Sequence, residues 1–538
     1  MDRGRVREYR PNNNDTDGPS PDKADVTVRI EPVPEPRVDT CSAEFAPIGR
    51  GERMNRTVVS NGTTAPARNV VLICLDTVRK DVFDEFAPRL QRLADVSVPQ
   101  CRATSNWSAP SHAGMFTGRL PHQHGVHAGS PSFSDLAVPT VLDDLSNHTT
   151  FGVSANPYAS SIYGFDAFFD EFVDVDDYSR FPDGLDVREF VDESDDPSYL
   201  SFLRASLGHD RRLESLANGI LSATTRLSEP LPIPRLFDHG AKVVRRETLR
   251  TVENRSEPFF GFLNLMDAHT PLQHVRGFDR DLHDVPNSWL CTTDRYNPWD
   301  VIEDLEGHEQ YLEYRRALYA AAVDYLDRQV EALIDDVRSA TDRETTFIVT
   351  ADHGENLGTP EDRNLVMHKG SLTEGLLHVP FCVVGAPGSA DAFDRTAGDT
   401  ERPYLSHLAL PQVIRAAAAG IPLPSAVFTR HAPAEVVGLN GLTDSRTIDD
   451  YEQWDRMIRA AYDGRTKVVW DSHDAVDEYR IDFETPSVDR HVGELDASPA
   501  WASSLFDVGV AEYKDGVAAG DEPTDDVTRD RLRDLGYI

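Results

Sequence analysis

Five apolar runs, at 69–75, 150–155, 259–266, 345–350 and 379–384, recur between stretches of mixed polarity. They are rich in β-branched and aromatic residues and show no polar alternation. Such runs predict strands buried on both faces of a parallel sheet. Between them, Pro88–Ala94 predicts a short helix and Ser97–Cys101 a short strand. Residues 308–339 predict a long amphipathic helix, with Leu312, Leu318, Ala322, Tyr325, Val330 and Leu333 near helical spacing. Strand, crossover and strand in succession predict an α/β fold with a doubly wound, mostly parallel sheet.

Elsewhere the pattern is weaker. GFDAFFDEF (164–172) reads as an aromatic and acidic loop, and 173–240 as an irregular, acidic and partly helical peripheral insertion with no recognisable chemistry. From about Arg446 the pattern changes. Residues 467–470 and 478–482 predict short strands of a small antiparallel appendage, and 527–535 a closing helix. Residues 1–68, rich in Pro, Asp, Asn and Arg, read as a mobile leader. The expected division is a leader (1–68), an α/β domain (69–445) and a C-terminal α+β subdomain (446–538).

Charge narrows the possible partners. The 538 residues carry 91 Asp plus Glu against 54 Lys plus Arg, a net charge of −37. Nucleic acid is excluded, because phosphate binding needs clustered positive charge. The acid is spread along the chain and reads as the solvated surface of a halophilic protein, where salt screens self-repulsion. The five Cys show no metal-site or redox-pair spacing, which fits a reducing cytoplasm. No apolar stretch is long enough to span a bilayer, and no apolar segment of a signal peptide is visible.

Polar residues at the ends of the apolar runs carry the candidate chemistry. Asp76 follows the first run, at the edge where ligands of open α/β sheets gather. In NWSAPSHAGMFTG (106–118), Pro110 fits a first helical turn and Gly118 a helix stop. Ser108 then lies at a helix N-terminus, either as a nucleophile for an anionic ester or simply as an N-cap. Asp352 and His353 follow the 345–350 run. Asp76, Ser108, Asp352 and His353 together form an oxygen-rich set with one imidazole. That set suits one divalent metal: Mg²⁺, Mn²⁺ or Ca²⁺, with Zn²⁺ also compatible. Lys369 is one of six Lys in this Arg-rich chain and is placed as a point charge on a substrate anion. His269 is a candidate to protonate a leaving alkoxide. His368 is a candidate anion contact or further metal ligand. His112, one helical turn after Ser108, would orient the hydroxyl or bind the anion. Arg119 is a candidate anion contact or a helix cap.

These motifs resemble the sulfatase branch of the alkaline-phosphatase-like superfamily. The resemblance rests on NVVLICLDTVRKD, SAPSHAGMFTG with RLPHQHGV, DAHTP, ADHGENLG, HKG followed by LLHVPF, and the closing RLRDLGYI. It implies a doubly wound α/β core with a smaller C-terminal sheet and metal-dependent cleavage of sulfate or phosphate esters. It also implies metal ligands at Asp76, Asp352 and His353, with Ser108, or formylglycine derived from it, as nucleophile. His269 and Lys369 match the family's substrate-anion positions. The expected substrate is a small anionic ester or a sulfated or phosphorylated glycan. The chain departs from the family pattern at three places. His112 stands for the Arg of C/S-x-P-x-R, Thr77 for a second Asp, and NPYASSIYGFD for the Gly-Lys-x-His segment. Related phosphodiesterases, phosphonate monoester hydrolases and phospho-transferases, several with an unmodified Ser or Thr, are the alternative reading. An inactive protein that holds an anionic glycan in the cleft is a third.

Overall fold

The computed structural model describes residues 67–517, apart from 135, 137, 177–179, 188–189, 192–193, 195–197, 229–232, 254, 293–294, 389–400 and 440–450. The predicted leader, apart from its last two residues, and the predicted closing helix lie outside the described residues. The core is a seven-stranded sheet in the order Val96–Ser97, Phe381–Val384, Thr345–Thr350, Asn69–Leu75, Phe259–Leu265, Thr149–Ser154 and Glu171–Asp174. From Thr345–Thr350 onward the five strands run parallel. Asn69–Leu75 is fully buried at the centre, which explains its unbroken apolar sequence.

Three local expectations change. The segment 97–101 is not one strand: Val96–Ser97 pairs on the edge of the main sheet, while Cys101–Arg102 joins a separate four-stranded sheet. Pro380 likewise splits 379–384. His378–Val379 pairs with Cys101–Arg102, and Phe381–Val384 runs antiparallel to Thr345–Thr350. The connection from Thr350 holds only the four-residue helix Glu374–Leu377 and no crossover helix, so the chain turns back. The loop expected at 164–172 contains a 3₁₀ turn, Phe165–Phe168, and leads into an edge strand, Glu171–Asp174. Phe165 and Phe169 pack there against Phe262, so aromatic burial overrides the loop-like composition.

The helix Glu309–Ala340 lies against this sheet and buries all six predicted apolar positions. It also buttresses the ends of the strands. The Tyr319 hydroxyl donates to Thr77 O at 2.5 Å, and Arg315 donates to Asn356 O at 2.9 Å. A five-stranded antiparallel sheet spans His431–Val437 to Asp489–Glu494, and its first strand precedes the composition change at Arg446. Among the described residues no helix is long and apolar enough to cross a membrane.

Candidate active site

The site forms where three parallel strands of the sheet end and one helix begins. Asp76 leaves Asn69–Leu75, Asp352 and His353 leave Thr345–Thr350, and Asn156 leaves Thr149–Ser154. The helix Ser108–Thr117 starts at the nucleophile candidate and stops at Gly118, whose φ of +67° fits a left-handed C-cap. Trp107 is the N-cap, and Ser108 caps nothing. Its Oγ instead lies 3.4 Å from Asp76 Oδ2 and 3.4 Å from His353 Nε2, and accepts from Asn156 Nδ2 at 2.9 Å. The residue after Asp76, Thr77, has φ of +59°, a costly conformation for a branched side chain. Its N–H donates to Asp352 Oδ1 at 3.3 Å, which ties the two carboxylate-bearing loops together.

The hydrogen bonds also assign the imidazole nitrogens. His353 Nδ1 can only donate to Gly354 O, at 2.8 Å, so Nε2 presents its lone pair toward Ser108 Oγ. Fixing a metal-binding imidazole through its far nitrogen is the usual supporting arrangement. Glycine is required at 354, where a Cβ would lie 2.0 Å from Gly375 O. His112 Nδ1 donates to the Ser108 carbonyl at 2.7 Å, and Asn264 Nδ2 donates to His112 Nε2 at 3.2 Å. His112 therefore braces the main chain of Ser108 and not its hydroxyl. Burial against Phe262 and Phe165 lowers its pKa.

The electrostatics of the cluster fit a cation. Asp76 is held well above the usual carboxylate range, first by burial and then by the nearby Asp352 charge; Asn156 and Asn264 offset part of this. Asp76 Oδ1 and Asp352 Oδ2 are buried without a hydrogen-bond donor. One ligand atom each from Asp76, Asp352 and His353 lies within 4.8 Å of the others. Two carboxylates, one oriented imidazole and two unsatisfied oxygens fit a divalent cation. Cys74, His112 and Asp352 also lie within that span, but His112 Nδ1 is committed to Ser108 O. Burial and both carboxylates also keep the Cys74 thiol protonated, which makes it a poor ligand.

The remaining candidates divide. The His368 ring sits 4.7 Å from that of His353 and 5.4 Å from that of His269, bringing all three to one place. Burial lowers the pKa of His269 to about 3 and that of Lys369 to about 8. Arg119 does not join them. It is exposed beyond the far end of the ten-residue helix that starts at Ser108, which puts it about 15 Å away along the axis. Asp267, beside the predicted His269, is structural: its carboxylate accepts from the N–H groups of His239 and Ala241 and anchors the start of helix Ala241–Val252.

Two participants escaped the sequence reading. Asn156 donates from Nδ2 to both Ser108 Oγ and Asp76 Oδ2, and its Oδ1 accepts from Tyr158 N at 2.8 Å, which fixes the amide orientation. Its position just past a strand end was the available signal. Glu355 places Oε1 3.4 Å from His368 Nδ1 and pairs with Arg315 at 3.1 Å.

Residues 68–420, more than half of the chain, match the Sulfatase family. No curated protein matches the sequence significantly. Among solved structures, the phosphonate monoester hydrolase of Silicibacter pomeroyi aligns over 87% of this chain and 96% of its own, at 15% identity and a TM-score of 0.50. The phosphonate monoester hydrolase of Agrobacterium radiobacter covers 78% and 90% at 15% identity and a TM-score of 0.49. A 2-O GAG sulfatase covers 77% and 85% at 15% identity and a TM-score of 0.47. Such likeness concerns the fold.

Proposed function

The chain belongs to the Sulfatase family, and from that premise we propose that it hydrolyses a sulfate ester with Ser108 Oγ, or formylglycine derived from Ser108, as nucleophile. The observation that carries the reading is the convergence of Asp76, Ser108, Asp352 and His353 in one buried cluster with two unsatisfied carboxylate oxygens. Asp76, Asp352, His353 Nε2 and Ser108 Oγ would hold the metal. The bound cation supplies the positive charge that lowers the pKa of the hydroxyl and offsets the substrate's negative oxygens.

The chain's own groups do the rest. Asn156 Nδ2 donates to Ser108 Oγ and leaves the hydroxyl proton directed at Asp76 Oδ2. Lys369 holds the sulfuryl oxygens as a point charge, with His368 beside it. His269 donates Nδ1–H to Thr270 O, so Nε2 is the nitrogen that passes a proton to the departing oxygen. With a pKa near 3 in the free protein, it must gain that proton as the anionic substrate binds.

A phosphodiester or phosphonate monoester is the second reading. The observation favouring it is His112, which occupies the position of the sulfatase motif's Arg and bonds to the Ser108 carbonyl. We also place the enzyme in a reducing cytoplasm, on the four buried free cysteines among the described residues, and in high salt, on its acid excess. The test measures 4-nitrophenyl sulfate, bis(4-nitrophenyl) phosphate and a phenyl phosphonate ester side by side, with the mass of the Ser108 peptide. Sulfate turnover that disappears in Ser108→Ala supports the proposal. An active Ser108→Ala protein overturns it. Phosphoester turnover alone moves the assignment to the second reading.

A further inference from the structure

Thr77 sits in a conformation that its side chain resists. Val78 N donates to Leu75 O at 3.2 Å and closes a four-residue turn, with Thr77 at its third position. A φ of +59° there suits Gly or Asn and is costly for a β-branched residue. Thr77 Oγ1 donates to Asp76 O at 2.7 Å, so the hydroxyl serves its own loop and does not face the cluster. The Thr77 N–H is what reaches Asp352. With His353 N at 3.0 Å, it puts two main-chain donors on Asp352 Oδ1 and leaves Oδ2 bare. Asp76 is held in the same one-sided way. Asn156 and Ser108 bond its Oδ2, and Oδ1 is bare. A carboxylate fixed through one oxygen presents the other in a set direction.

What holds the turn comes from outside it. Tyr319, buried in the helix Glu309–Ala340, places its hydroxyl against the main chain of the turn. It donates to Thr77 O at 2.5 Å and accepts from Arg79 N at 3.0 Å, so both hydrogen bonds go to residues 77–79. The Arg79 side chain adds a second tie, with Nη1 donating to Glu355 O and to Asp362 at 2.9 Å. We propose that Tyr319 is a positioning residue for the metal ligands, which clamps Thr77 in its strained form and so keeps the Thr77 N–H on Asp352 Oδ1 and the two bare oxygens aimed at one cation. The inference rests on the reading that Asp76, Asp352 and His353 hold a divalent metal. Oxygens already in place bind a cation without reorganising first. Without the clamp, Thr77 relaxes toward negative φ, its N–H leaves Asp352, and the carboxylate is free to rotate. The Arg79 tie remains, so the loss is graded and not total.

The test is isothermal titration calorimetry of the chelator-treated full chain with Mn²⁺, Mg²⁺, Ca²⁺ and Zn²⁺ in turn. Asp352→Asn identifies the site among the many surface acids. Tyr319→Phe keeps the buried ring and removes only the hydroxyl. For the cation that wild type binds most tightly, its Kd should rise about tenfold, as the loss of one or two hydrogen bonds implies. Tyr319→Phe combined with Thr77→Gly should return to within about threefold of wild type, because Gly takes positive φ without strain and needs no clamp. Circular dichroism and the melting temperature of the metal-free proteins check folding. A wild type without a site that Asp352→Asn removes overturns the metal reading and this inference with it. A wild-type site that Tyr319→Phe retains at equal affinity overturns the inference alone. So does an affinity loss, or an unfolded protein, that Thr77→Gly does not repair, because either marks Tyr319 as a packing residue.

Discussion

Asn156 offers the sharpest test of the site. Its two amide N–H groups go to Ser108 Oγ and to the Asp76 carboxylate. A neutral hydrogen bond is worth about 1 kcal/mol net and one to a charged group about 2 kcal/mol. Removing both should therefore cost about 3 kcal/mol, or about two orders of magnitude in kcat/KM. Asn156→Ala also removes the acceptor for Tyr158 N, so its loss mixes positioning with a local cap worth about 1 kcal/mol. Asn156→Asp separates the two, because it keeps the acceptor for Tyr158 N while putting a carboxylate beside Asp76 in place of the donors. Both variants should lose kcat about 100-fold on the best chromogenic ester, while only the alanine variant loses the stability of the turn. The assay is steady-state kinetics with thermal unfolding of each protein under metal-saturating conditions. An Asn156→Asp enzyme within threefold of wild-type kcat would show that these bonds do not position the nucleophile.

The other predictions follow from the charge balance. Asp76→Asn should abolish turnover yet raise the Tm of chelator-treated protein by about 2 °C or more, because it removes one of two repelling buried carboxylates; an unchanged or lower Tm contradicts the cation-shaped site. Lys369 should impose an alkaline limb on kcat/KM with an apparent pKa near 8, activity falling as the ammonium loses its proton, and Lys369→Arg should move that limb upward in a pH–rate profile. Glu374 is held at about 2, where burial is outweighed by Arg102, Lys467 and the Tyr462 hydroxyl. Its folded pKa lies below the ordinary value of 4.5, so its contribution is complete above about pH 4.5 and is lost as pH falls toward 2. Denaturant titrations across that window should show about 3 kcal/mol less acid sensitivity in Glu374→Gln.

The parallel core was legible because burial on both faces leaves an unambiguous trace: Asn69–Leu75 and Thr345–Thr350 have the bounds that their apolar runs suggest. The segments misread are those where tertiary contacts decide. Phe165 and Phe169 look like loop residues until Phe262 is placed against them. Pro380 marks the change of partner sheet, but the sequence does not say which sheet each half joins. Asp76, Ser108, Asp352 and His353 could be named from their side-chain types and strand-end positions, and the fold brings them together. Arg119 has the right charge but the wrong end of the helix, a distinction that needed Ser108–Thr117 to be counted as a rod.

Asn156 and Ser215 expose a deeper limit of pattern reading. Both are neutral polar residues in stretches without distinctive charge, and their importance lies wholly in what they face. Asn156 gains its role because the Thr149–Ser154 strand lies one strand beyond Phe259–Leu265 in the sheet, which aims it at the Ser108 hydroxyl 48 residues earlier in the chain. Ser215 and Asn218 gain theirs because loop backbone around Phe181 and Leu185 needs hydrogen-bond partners, and meeting that need turns Leu213 and Ile220 outward. Hydrophobic periodicity alone predicts the reverse orientation for the helix Arg212–Ser228. The backbone's demand for partners outranks the side chains' preference there, and the exposed Leu213 and Ile220 are the result.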